Sequence, residues 1–218
     1  MIVGDPSRFA LESEITYAYG RLSLRALGYF VIHVEGKCFG IRTWDATMLA
    51  IAFDGVAKRI ATRGSHTAPS ISTEESESLA TAFSRAIYVE HEQDELFFGM
   101  RDSDFITLLH STNLDWAPDG EEGFDDGSCV LQFDVGDEVR LIAFSRAMNP
   151  ILDPARLREV WIPAEDFYTI LQNWHVFWKS GRRFPRSLRR TCTSPKSVWL
   201  CLRRRRCGGR VGRASAGG

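Results

Sequence analysis

Between residues 9 and 19 apolar and polar side chains alternate. Phe9, Leu11, Ile15, Tyr17 and Tyr19 fall on one side, and Glu12, Glu14 and Thr16 on the other. A period of two with one apolar face predicts a half-buried strand whose Glu12 and Glu14 side faces solvent. Residues 29–34, rich in aromatic and β-branched side chains, predict a second strand. Glu35-Gly36-Lys37 marks a turn, and residues 38–43 predict the returning strand, giving a three-stranded antiparallel meander.

The period then changes to that of a helix. Leu49, Ala52, Phe53, Val56 and Ile60 recur on one face behind Asp45 as N-cap, with Lys58, Arg59 and Arg63 near the C-terminal end, where they suit the helix dipole. Ser72 and Glu75 have capping-box spacing ahead of a second helix, carried by Leu79, Ala82, Phe83, Ala86 and Ile87. Residues 95–100 and 104–110 read as short strands, and 115–127 as an acidic, Gly-bearing loop. Residues 130–134 and 138–144 form a hairpin around Val135-Gly136-Asp137. Residues 157–162 predict a last strand, with Pro163 in the first turn of a closing helix whose wide apolar face is Phe167, Ile170, Leu171, Trp174, Phe177 and Trp178. Strands and helices are partly segregated, which predicts an α+β fold: a mostly antiparallel sheet, two helices in the middle and one C-terminal amphipathic helix.

At 218 residues, with 44% hydrophobic and 25% charged, the chain has the balance of a globular domain. The net charge of -1 conceals a division. Residues 1–180 carry all 28 acidic residues and 15 of the 27 basic ones, a net of -13; residues 181–218 carry 12 basic residues and no acidic one. The domain is therefore expected to span 1–180, followed by a disordered Arg-rich tail. Two readings of that tail stand. Arg, Gly, Ala and Pro are what GC-rich DNA yields in a wrong frame, so an out-of-frame extension is preferred; the other reading is a basic arm for nucleic acid or an acidic surface. No run of eighteen apolar residues and no basic-then-apolar N-terminus occurs, and five cysteines is an odd number. These features predict a cytoplasmic protein with reduced thiols, off the membrane.

No catalytic or metal motif stands out. Glu90-His91-Glu92-Gln93-Asp94-Glu95 cannot point all its groups at one ion, and the carboxylates between Asp102 and Asp126 lack the spacing of a calcium loop. Gly64-Ser65-His66 is not a nucleophile elbow, and Cys129 reads as core. No phosphate-binding glycine loop is present. No cofactor is expected.

The opening Ile2-Val3-Gly4-Asp5-Pro6, with Phe9-Ala10-Leu11-Glu12 after it, resembles the start of bacterial immunity proteins of family 42. Tyr29-Phe30-Val31-Ile32-His33-Val34-Glu35-Gly36-Lys37 is similar to that family's second strand and hairpin, and residues 157–163 with the helix through Trp174 are in keeping. The resemblance covers about residues 1–180. It implies an antitoxin of a polymorphic-toxin or contact-dependent competition system, which binds a cognate toxin domain and blocks it without catalysis. It brings no catalytic residue with it. A body at -13 suits a basic toxin, because opposite charge speeds encounter. Asp115, Trp116, Asp119, Glu121, Glu122, Asp125 and Asp126 are the expected partner-binding residues, with Trp116 as anchor. The alternatives are a nucleic-acid-binding protein acting through residues 181–218 and a hydrolase using the 90–104 carboxylates, Asp102 and Asp104 among them. Toxin identity, strand order and oligomeric state stay open.

Overall fold

In the computed structural model the described residues are 1–18, 26–89, 95–116, 122–145 and 154–179. The expected meander is there, with two strands added to it. Strands β1 (Ile2–Asp5), β2 (Phe9–Ala18), β3 (Ala26–Val34) and β4 (Lys37–Phe39) run antiparallel in that order. A two-residue strand, β5 (Thr47–Met48), pairs with Leu27 and Gly28 at the far end of β3. Leu11 opposite Ile32, Phe9 opposite Val34 and Ser13 opposite Phe30 put one face of the sheet into the core. The register shifts between Ile15 and Tyr17, a bulge at Thr16 whose hydroxyl donates to the carbonyls of Leu27 and Trp44. Gly28 permits the close approach here: a Cβ would lie 1.9 Å from the carbonyl oxygen of Glu14.

Helices α1 (Leu49–Ala61) and α2 (Ser76–Tyr88) follow, then a small hairpin of β6 (Leu96–Phe97) and β7 (Met100–Arg101), and helix α3 (Asp102–Ser111). Strands β8 (Ser128–Val135), β9 (Glu138–Ser145) and β10 (Arg158–Pro163) make a second antiparallel sheet in the order β10-β9-β8, and α4 (Ala164–Lys179) closes the domain. Gly136, at φ +59, makes the tight β8–β9 turn. The second sheet is buried on both faces. Val130, Val139, Leu141, Val160 and Ile162 join Phe30 and Ile32 of the first sheet, Leu49 and Val56 of α1, and Phe167, Leu171 and Trp174 of α4 in the main core. Leu131, Phe133, Ile142 and Phe144 face the other way, onto Leu79 and Phe83 of α2 and Phe105 and Leu109 of α3. Cys129 is core, as expected.

Four local expectations are corrected. Residues 104–110 are helix, not strand, because Phe105 and Leu109 are four apart and both dock on the second sheet. Asp45 caps nothing: Thr47 and Met48 stay extended to pair with β3, so α1 begins only at Leu49. Ser72 and Glu75 form no capping box. Instead Ser76 donates to Glu159, and Arg140 donates to the Ser72 carbonyl, tying the start of α2 to the second sheet. Pro163 ends β10 rather than opening α4.

Trp174 joins the two ends of the domain. It is 1% exposed, lies edge-on to Phe30 at 5.2 Å, and its Nε1 donates to Ser13 Oγ at 2.9 Å. Trp174→Ala empties that site and is expected to cost about 3–5 kcal/mol. Urea unfolding would show this as a lower midpoint with an unchanged slope; a midpoint equal to wild type refutes the role assigned to Trp174.

Candidate functional site

The acidic segment divides between inside and outside. Trp116 is 6% exposed and packs on Phe9 and Phe167, with the guanidinium of Arg59 4.9 Å above its ring. It is therefore a core residue and can anchor a partner only by leaving the core. The signal that misplaced it was its acidic neighbourhood. Asp115 belongs to an isolated bridge opposite Leu131, and its carbonyl accepts from Arg59 Nη2 at 2.6 Å. Asp125 and Asp126 are exposed, and Asp126 Oδ1 accepts the Ser128 amide at 3.0 Å. Glu122 opens a single 3-10 turn, Glu122–Phe124. Asp119 and Glu121 lie outside the described residues, as do His91 with Glu90, Glu92 and Asp94, and the whole of 181–218.

Two polar networks sit where the pattern led us to expect apolar packing or solvent. In the first, buried Arg59 donates to Gln132 Oε1 and the Asn113 carbonyl. Gln132 Nε2 in turn donates to Tyr168 and Asp134, and Tyr168 donates to both oxygens of Asp134. Burial, and then the Asp134 charge, push the Tyr168 phenol well above its ordinary value, so it stays a donor. His66, fully buried, has Nδ1 near the carbonyls of Thr112 and Asn113; burial and the Arg59 charge lower its pKa, so it is neutral at pH 7.

The second network corrects the solvent-facing side of β2. Glu12 is only 3% exposed. Tyr29 donates to Glu12 Oε1 at 3.0 Å and to Glu14 at 3.1 Å, Arg42 donates to Glu12 Oε1 at 2.6 Å, and His33 Nε2 lies 2.9 Å from Oε2. The alternation assigned the faces correctly. At Glu12 the second face is also covered, because Ala46 and Ile41 pack over Tyr29 and Val31, whereas Glu14 stays exposed as expected. Burial raises the Glu12 pKa, but the hydrogen bonds from His33 and Tyr29 and the charge of Arg42 outweigh it and hold it below the usual carboxylate range. Both oxygens are engaged, so the group braces β2, β3 and the 40–46 connection rather than offering a free base.

Among the described residues, the carboxylates proposed for hydrolysis, Asp102 and Asp104, do not converge. Asp102 and Asp104 stand two apart in the first turn of α3, on different sides of the helix, and Asp102 Oδ1 accepts the Ser103 amide. Among the described residues no group of three or more His, Cys, Asp and Glu side chains could hold a metal ion.

What the surface does offer is a groove of about 440 Å³ between α2 and the β6–β7 hairpin. Glu75, Ser78, Ala82 and Arg85 make one stripe along α2, Glu77 and Thr81 flank it, and Leu96, Phe97 and Phe98 form the opposite side. Sequence reading passed over it. Its signal was an apolar residue, Leu96, beside Glu95 in a strand too short to bury both faces.

The family model described as Immunity protein 42 matches residues 1–177. Among solved structures, the crystal structure of CdiI from Burkholderia dolosa AUO158 is similar in fold, with a TM-score of 0.54 and 12% sequence identity over 81% of this chain and 99% of that one. No curated protein sequence matches.

Glu12→Gln keeps the shape of the brace and removes its charge. At pH 7 the variant should be less stable than wild type by about 1–3 kcal/mol. A carboxyl held below its ordinary 4.5 contributes stability that is present above that value and is lost as pH falls through the folded-state pKa. The difference between the two proteins should therefore shrink in acid, measured by urea unfolding from pH 7 to pH 3. A difference that does not change with pH refutes an ionised Glu12.

Proposed function

The chain belongs to the immunity protein 42 family, and we propose that it neutralises its cognate toxin domain by stoichiometric occlusion, without catalysis, inside the cytoplasm of a cell engaged in contact-dependent or polymorphic-toxin competition. The observation that carries this reading is the family match over residues 1–177, which takes in every described strand and nearly all of α4. The geometry agrees with it. Among the described residues Glu12 is fully engaged, and Asp102 and Asp104 stand on different sides of α3. Among the described residues no helix is long and apolar enough to cross a membrane.

The net of -13 over residues 1–180 supports a basic toxin, such as one that itself grips nucleic acid. Exposed Asp125 and Asp126 would then contribute to an acidic contact surface. The family match ends before the basic segment, which supports placing the activity in 1–180 and treating 181–218 as an extension without a role in protection. Nothing supports the nucleic-acid alternative.

Co-expression with the toxin domain encoded beside its gene should restore growth, and truncation after residue 180 should leave that protection intact. Sedimentation of the purified pair should give a one-to-one complex, and its association rate should fall as salt rises. Protection by far less than one equivalent, which turnover would produce, overturns the occlusion reading.

A further inference from the structure

We propose that the groove between α2 and the β6–β7 hairpin is the docking surface for a cationic segment of the toxin that carries an apolar anchor; this rests on the immunity reading above. Three observations converge on it. The first is shape. The stripe Glu75, Ser78, Ala82 and Arg85 follows helical spacing, so the groove runs along about 15 Å of α2, long enough to seat a short helix or strand of a partner.

The second is charge. Arg85 is the one cation in the lining, and Glu95 neutralises it at 2.8 Å. Glu75 and Glu77 are left in excess and exposed, in a domain whose net charge over residues 1–180 is -13. Basic side chains of the partner meet these two carboxylates separately at one end of the groove, and the same field draws the segment in from a distance.

The third is the apolar wall. Leu96 is 65% exposed, the most exposed large hydrophobic residue described. Its position is held at a cost. The two-residue turn between β6 and β7 is Phe98-Gly99, with φ +53 and +78. That turn favours Asn-Gly, and a bulky aromatic residue in the left-handed region is strained. Packing of the Phe98 ring against Phe105 at 5.9 Å offsets the strain, and with Phe97 buried the alternate residue Leu96 faces outward at the rim. An exposed apolar side chain beside unmatched carboxylates is the chemistry of an interface whose anchor is greasy and whose rim is ionic.

The test uses the full chain and the toxin domain encoded beside it. Glu75→Lys with Glu77→Lys should weaken binding about 100-fold, chiefly in the association rate at low salt, and Leu96→Ser about 10-fold, chiefly in dissociation. Asp137→Lys with Glu138→Lys, an exposed pair in the β8–β9 turn outside the groove, serves as the charge-matched control and should change affinity less than 5-fold. Circular dichroism and urea midpoints confirm that each variant is folded. If wild type binds and protects while both groove variants match it within 2-fold, the groove is overturned and the immunity reading stands. If wild type neither binds nor protects, both fall. If the chain alone is a dimer that Leu96→Ser dissolves, the groove seats a second copy and the toxin assignment is overturned.

Discussion

The hairpin of β8 and β9 is apolar on both faces, and a sheet with two apolar faces has to be covered twice. Every other element can be placed from that requirement. The first sheet, α1 and α4 cover one side through Phe30, Val56 and Trp174; α2 and α3 cover the other through Phe83 and Phe105. The chain meets the requirement with two clusters rather than one, so its buried polar groups have to be threaded between them. Arg59, Gln132 and Arg140 are nearly inaccessible, yet each has its hydrogen bonds filled, by Asn113 and Asp115 carbonyls, by Asp134 and Tyr168, and by Ser72, Ser76 and Glu159. A buried cation left unpaired would cost several kcal/mol, on the order of 3–5, so these networks also limit which packings the chain can adopt.

This explains what was legible in the sequence. Periodicity reports one face at a time. It located β2, β3, the β8–β9 hairpin, α1, α2 and α4, each of which turns a clear apolar stripe to a core. It failed on α3, because Phe105, Ile106, Leu108 and Leu109 in a run of ten can be read as either period, and only docking on the second sheet decides between them. It also failed on Glu12. The alternation correctly set Glu12 against Leu11, but no local pattern says that Ile41 and Ala46 return to cover the polar face, or that Tyr29, His33 and Arg42 arrive to satisfy the carboxylate. Long-range pairing is invisible to a window of a few residues.

The candidate site suffered from the same blindness in a sharper form. Composition drew attention to the acidic run around Trp116, because aromatic residues among carboxylates suit an interface. The structure uses that tryptophan as core, under Arg59, and leaves exposed carboxylates elsewhere. Glu75, Glu77 and Leu96 are scattered over more than twenty positions and become neighbours only when α2 and the β6–β7 hairpin lie side by side on the second sheet. A binding surface assembled from separate elements has no sequence signature apart from its parts.

A protein that works by covering another needs a surface that does not rearrange when it is met, because any ordering of loops at the interface subtracts from affinity. The buried polar networks serve this end. Glu12 with Tyr29, His33 and Arg42 holds the outer face of the first sheet, and Arg140 with Glu159 and Ser76 clamps the start of α2 against β9 and β10. That second clamp sits one residue from Glu75 and on the same helix as the rest of the groove wall. Titratable groups are spent on stiffness, which is why the same residues make a poor active site and a good support for recognition.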